Sequence, residues 1–216
     1  VPEAIIVAII GVETVYGRQT GDFRVADTLT TLGFDYPARA PYFRGELEQF
    51  LLYTRENRID PLTPRGSYAG ATGLGQFMPT SLRRWAIDLD GDGRIDLLNS
   101  PADAVGSVGN FLKEHGWIEG KATHYGATVV EASQIDDLVA AGPKPSFTVE
   151  QLYGRGVRAT DEVPVADLLV LADLPEGDNP TRYVLGTENF YAITRYNRSY
   201  FYAMAVIELA AALKAR

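Results

Sequence analysis

The chain has 216 residues, 46% of them hydrophobic, with a formal net charge of -8 and no cysteine. That length and apolar content suffice for a sizeable buried core. No block of Lys or Arg is available to offset a phosphate backbone, which excludes nucleic acid as a partner class, and without cysteine neither disulfides nor thiolate metal sites can form. His115 and His124 are the only histidines and stand in no zinc-binding spacing, so both read as ordinary side chains.

Pro2 suits the first turn of a helix, and Ile5, Ile6, Ile9, Ile10 and Val12 are dense enough that this helix must be covered on most sides. The apolar run from Ile5 to Val12 is far shorter than the ~20 residues of a membrane span. Because the chain starts just before this helix, upstream residues are expected to have been removed or to lie outside it. Glu13 ends the apolar segment. Burying a carboxyl there favours its neutral form, and a neutral acid can protonate a leaving group; a surface glutamate on a helix's last turn is the alternative.

The stretch from Gly17 to Arg39 is rich in Gly, Thr and Asp with one apolar patch, and Glu46 to Arg58 reads as a second helix, ended by Pro61 and Pro64. GSYAGATGLG, from Gly66 to Gly75, is too glycine-rich for a regular helix and can bring backbone amides close to a ligand; Pro79 is placed to start the next helix. The acidic loop DLDGDGRIDLLNSPAD follows from Asp88 to Asp103. Its aspartates at positions one, three and five and Gly93 at six are the start of an EF-hand calcium loop, in which Asp88, Asp90 and Asp92 offer side-chain oxygens and Arg94 its backbone carbonyl. Position twelve is Asn99 where a bidentate Glu is usual, and a solvated Asp-Gly turn is the alternative reading.

A helical stretch runs from Pro101 to His115. Beyond Trp117 the bursts ATVVEA, SFTVEQL, DLLVLADL and TRYVLGT are separated by Pro and Gly, the pattern of a small α+β unit, and Ser199 to Arg216 is again helical. The fold class is therefore mainly α (α+β): a helical core of residues 1–118 and 189–216, with the acidic loop at 88–103 and a small inserted α+β domain at 119–188.

GVETVYGR, FDYPARAPYF, GSYAGATGLGQFMPTS, the acidic loop and ITRYNRSYFYAMAV occur in one chain in this order. Together they resemble the lytic transglycosylase B family. The resemblance implies a lysozyme-like helical core that cleaves the β-1,4 bond between N-acetylmuramic acid and N-acetylglucosamine without water, leaving a 1,6-anhydromuramoyl end. It makes Glu13 acid and then base, and sets Ser67 and Gln76 beside it. It gives Arg39 and Tyr42 to peptidoglycan, with Ala38 standing where the family often shows a second arginine, and it gives Tyr196, Asn197 and Tyr202 to the glycan groove. It closes the acidic loop with Asp103, Asp96 and Asn99 being alternates, around a structural calcium or, alternatively, sodium.

A hydrolase of this type wants a second carboxylate, whereas an intramolecular nucleophile does not. Asp22, Asp35 and Glu46 stand in no motif and read as solvated or structural. The implied partners are peptidoglycan strands and cell-wall synthesis or remodelling proteins, and the implied state is a monomer in the periplasm, with an outer-membrane anchor upstream of Val1 as one variant. Two rival functions remain: a muramidase that uses water, and a calcium-dependent wall-binding module without catalysis. Exolytic and endolytic action are not separated by these residues.

Overall fold

The computed structural model describes residues 1–131 and 134–215. Ala132, which ends the ATVVEA burst, and Arg216 fall outside them. The chain divides into two compact units, Pro2–Phe111 with Leu213–Arg216, and Leu112–Ala212 with Val1.

In the first unit, Pro2 is the extended cap of α1 (Glu3–Thr14). Ile5, Ile6, Ala8, Ile9, Ile10 and Thr14 are buried, while Val7 and Val12 reach the surface, so the helix is covered on most sides but not all. β1 (Phe23–Arg24) leads into α2 (Val25–Phe34), a helix within the stretch that reads as Gly, Thr and Asp-rich in sequence. Its threonines and Gly33 have low helix propensity. Burial of Val25 and Leu29 against Phe43 and Phe50 stabilises it, each side chain contributing roughly 1.5–3 kcal/mol before entropy is counted.

Phe43 and Phe50 belong to α3 (Ala40–Glu56), which begins at Ala40 rather than Glu46 because Pro41 sits in its first turn, where no backbone N–H is needed. β2 (Arg65–Gly66) pairs antiparallel with β1. α4 (Pro79–Trp85) starts at the expected proline, and Glu46, buried on α3, accepts the N–H of Thr80 at 2.8 Å. Glu46 is thus a helix cap and belongs to the structure. α5 (Pro101–Glu114) meets α4 through Phe111, whose ring stands edge-on to Trp85 and Phe77, and through Asn110, which donates to the Trp85 carbonyl at 2.9 Å.

The second unit holds β3 (His124–Val129), α6 (Asp136–Ala140), α7 (Val149–Gly154), β4 (Val157–Ala159), β5 (Val170–Glu176), β6 (Asn179–Gly186), α8 (Glu188–Tyr196) and α9 (Tyr200–Lys214) up to Ala212. Four strands form an antiparallel sheet in the order β4-β3-β6-β5, with Ala127 opposite Ala159 and Leu171 opposite Leu185. Leu138 of α6 and Leu152 of α7 pack with Leu169, Leu171 and Leu185 into its core. The SFTVEQL burst forms α7, because Thr148 and Gln151 make a capping box that satisfies the free N–H groups of its first turn. Lys121 bridges Asp167 at 2.8 Å and Glu188 at 2.7 Å, tying the loop before β3 to the start of α8. Among the described residues no helix is long and apolar enough to cross a membrane.

Candidate active site

Glu13 stands half-buried on the last turn of α1. The helix then ends abruptly: Val15, Tyr16 and Gly17 are successive left-handed residues, with φ of 51°, 57° and 86°. For non-glycine residues that region costs on the order of 1–3 kcal/mol each, so surrounding contacts must hold it. The Tyr16 ring folds back over Gly11, where a Cβ would lie 2.8 Å from it. Thr14 is fully buried; its hydroxyl lies 2.8 Å from the Leu74 carbonyl and 3.1 Å from that of Ile10, and it accepts the Gly17 N–H at 3.0 Å.

The segment after Glu13 is laid along the glycine-rich loop at further points. Gln76, itself left-handed at φ 52°, donates through Nε2 to the carbonyls of Thr20 and Gly73 at 3.1 and 3.0 Å. Gly21 approaches so closely that a Cβ would come within 2.2 Å of the Gly66 carbonyl and 2.5 Å of the Ser67 nitrogen. Phe23 and Arg24 then pair with Gly66 and Arg65. Glu13, Ser67 and Gln76 are therefore mounted on two segments locked to one another. Of the four non-glycine residues with positive φ among those described, Val15, Tyr16 and Gln76 belong here and Arg58 does not.

Each polar group keeps one function in reserve. The Ser67 hydroxyl accepts the N–H groups of Ala69 and Ala71 at 3.3 and 3.1 Å, which shapes the turn and leaves its hydrogen to donate. With its Nε2 committed, Gln76 presents Oε1 as an acceptor. Arg39 and Tyr42 come together at the exposed start of α3, the guanidinium 4.7 Å from the ring centre. In the second unit the Tyr196 and Tyr202 rings stack at 6.4 Å, and Asn197 is the exposed C-cap of α8. Asp22 and Asp35 are exposed.

A cavity of about 690 Å³ in the first unit is lined by Tyr53, Arg58, Arg94 and Asp96 and not by Glu13, Ser67 or Gln76. Thr14 and Tyr16 carry no sequence signal for a place in the site, since their contacts are made only once the chain folds back.

In the acidic loop Asp88, Asp90 and Asp103 bring one carboxylate oxygen each within 4.8 Å of one another. That is the span across a cation whose oxygen ligands lie at about 2.3–2.6 Å, and an all-oxygen donor set suits a hard ion. Asp103 is 1% exposed and accepts the N–H groups of Leu89 and Asp96, both at 2.9 Å. The Asp96 amide, helped by that of Leu89, holds the Asp103 carboxyl below the usual carboxylate range against the effect of burial. Asp92 lies outside the three-carboxylate group and takes the Arg94 N–H at 2.8 Å. Asp96 and Asn99 bond to each other.

Glu13 at a helix end is thus clamped to a glycine-rich loop that carries a hydroxyl and an amide, on an α+β frame with an acidic loop, the outline of a transglycosylase-type domain. The Transglycosylase SLT domain model matches residues 1–211, and the chain belongs to that family of lytic transglycosylases. It is 46% identical to membrane-bound lytic murein transglycosylase B of Escherichia coli (strain K12) over 99% of its own length, and spans 57% of that relative.

Among solved structures, soluble lytic transglycosylase SltB1 from Pseudomonas aeruginosa superposes with a TM-score of 0.88 at 48% identity, over 98% of this chain and 69% of that one. Escherichia coli Slt35, solved in complex with calcium, gives 0.84 at 43% identity, over 100% and 67%. Pseudomonas aeruginosa SltB3, solved with NAG-NAM-pentapeptide, gives 0.83 at 32%, over 99% and 57%.

Proposed function

We propose that this chain is the catalytic part of a peptidoglycan lytic transglycosylase in which Glu13 is first the acid and then the base. The observation that carries the reading is the clamp that fixes the helix end bearing Glu13 against the loop bearing Ser67 and Gln76. The Glu13 carboxyl gives its proton to the glycosidic oxygen as the bond to C1 of the muramoyl residue breaks, and the N-acetyl carbonyl oxygen bonds to C1. The Glu13 carboxylate then takes the proton of the same sugar's 6-hydroxyl. O6 displaces the carbonyl oxygen from C1 and closes the 1,6-anhydro ring. Because the nucleophile belongs to the substrate, proximity replaces a second carboxylate. Ser67 has a hydrogen to donate and Gln76 an oxygen to accept, the pair needed to orient an N-acetyl group. Tyr196, Asn197, Tyr202, Arg39 and Tyr42 are proposed to bind the strand, through ring faces, an amide and a cation.

Asp88, Asp90 and Asp103 would hold a calcium ion, with Asp92 and the Arg94 carbonyl completing the set, and the ion would supply loop stability rather than chemistry. Residues 119–188 form an insertion between helical segments of the chain, and the enzyme works on the wall from the periplasm. The deciding experiment digests purified sacculi with the parent and with Glu13→Gln and analyses the ends. Anhydromuramoyl products from the parent, with release reduced at least about 1,000-fold in the variant, are expected. Reducing ends would replace the reading with a muramidase, and equal release would remove Glu13 from the reaction.

A further inference from the structure

Two arginines at and just beyond the end of α8 form no ion pair with an acid among the described residues. Arg195 and Arg198, with Thr194, Tyr200 and Pro143, line a cavity of about 390 Å³ in the second unit. The Arg195 guanidinium lies 4.4 Å from the Tyr191 ring centre, and one terminal nitrogen donates to the Thr194 hydroxyl at 3.2 Å. Its Nε is buried and meets no acceptor. Neither arginine belongs to any ion pair among the described residues, in a chain whose formal net charge is -8.

Two like charges sharing a cavity repel, and an anion between them relieves that repulsion. Stacking on Tyr191 fixes the guanidinium plane, and a fixed planar fork suits a carboxylate better than a point charge would. Burial first, then the charge of Asp173, raises the Tyr200 phenol against the opposing pull of Arg195, so a neutral O–H lines the same space.

N-acetylated sugars carry no charge for such a cavity to read, whereas the peptide stem attached to them ends in carboxylates. We infer that this cavity binds a stem-peptide carboxylate, with the guanidinium groups of Arg195 and Arg198 supplying the charge that holds it. The inference rests on the peptidoglycan reading and adds a recognition element for the peptide.

The test is made in the full chain carrying Glu13→Gln, so that binding is read without turnover and its failure stays distinct from failure of cleavage. Calorimetry compares N-acetylmuramoyl pentapeptide, the same compound with its carboxylates converted to carboxamides, and inorganic phosphate. The acid form is expected to bind at least about tenfold more tightly than the carboxamide form, with most of that preference lost in Arg195→Gln and in Arg198→Gln and part of it kept in Arg195→Lys. The ¹⁵Nε resonance of Arg195 should shift on titration with the acid form, a readout that survives if a glutamine variant fails to fold. Equal affinity for acid and carboxamide overturns the inference, as does an undiminished preference in folded variants. Phosphate bound as tightly as the peptide acid would make this a small-anion site and overturn the assignment to the stem.

Discussion

Thr14 has no group that reacts, yet its hydroxyl joins the helix bearing Glu13 to the loop bearing Gln76. Thr14→Val keeps the volume and leaves the Leu74 carbonyl and the Gly17 N–H without this partner. A loss of about 1–2 kcal/mol in stability is expected, with kcat reduced about tenfold at nearly constant KM and with recovery in Thr14→Ser. An unchanged kcat in a folded Thr14→Val enzyme would assign the hydroxyl to structure alone. An acid ending an apolar run is a local pattern, so the sequence singles out Glu13, while its proposed role as the acid rests on the resemblance of the whole motif set. Thr14 is not singled out, because its partner lies 60 residues away. Glu46 shows the same limit, since its role as a cap for Thr80 depends on two helices meeting.

Among the elements, the acidic loop carries a spacing set by the ligand geometry of one kind of ion, and of the three aspartates that spacing names, Asp88 and Asp90 come together while Asp92 lies outside the group. What spacing could not supply was closure: buried Asp103 joins Asp88 and Asp90 and staples the loop through the amides of Leu89 and Asp96. If the loop holds calcium, chelation should lower the melting temperature by about 5–10 °C, and Asp88→Asn should abolish the response to added calcium. Identical melting with chelator and with millimolar calcium would reject the ion. α2 was less legible than α5 because its helical stripe is short and its threonines suit turns and strands as readily.

The whole molecule couples its stability to acidity through the second unit. His124 is half-buried in β3, and burial, with the Arg182 charge, holds its imidazole below the ordinary value against weaker opposing pulls from Glu208 and Asp161. The unfolded chain therefore binds this proton more readily than the folded one. The contribution is intact above the unfolded pKa of about 6.5 and is lost as pH falls through the folded value. Denaturant titrations between pH 7.5 and 5 should show stability falling, with a shallower fall in His124→Gln; parallel profiles would dismiss the histidine. The broad α+β plan was readable at this scale because periodicity changes along the chain, while sheet order was not, because strand pairing joins β3 to β6 across two intervening helices and two intervening strands.

One local feature also bears on how such a chain can diverge. With the Tyr16 ring resting where a side chain at Gly11 would stand, the two positions share a single volume. A larger residue at position 11 becomes acceptable once position 16 has shrunk, so the side chain allowed at 11, in the turn beside Glu13, is set by the one at 16.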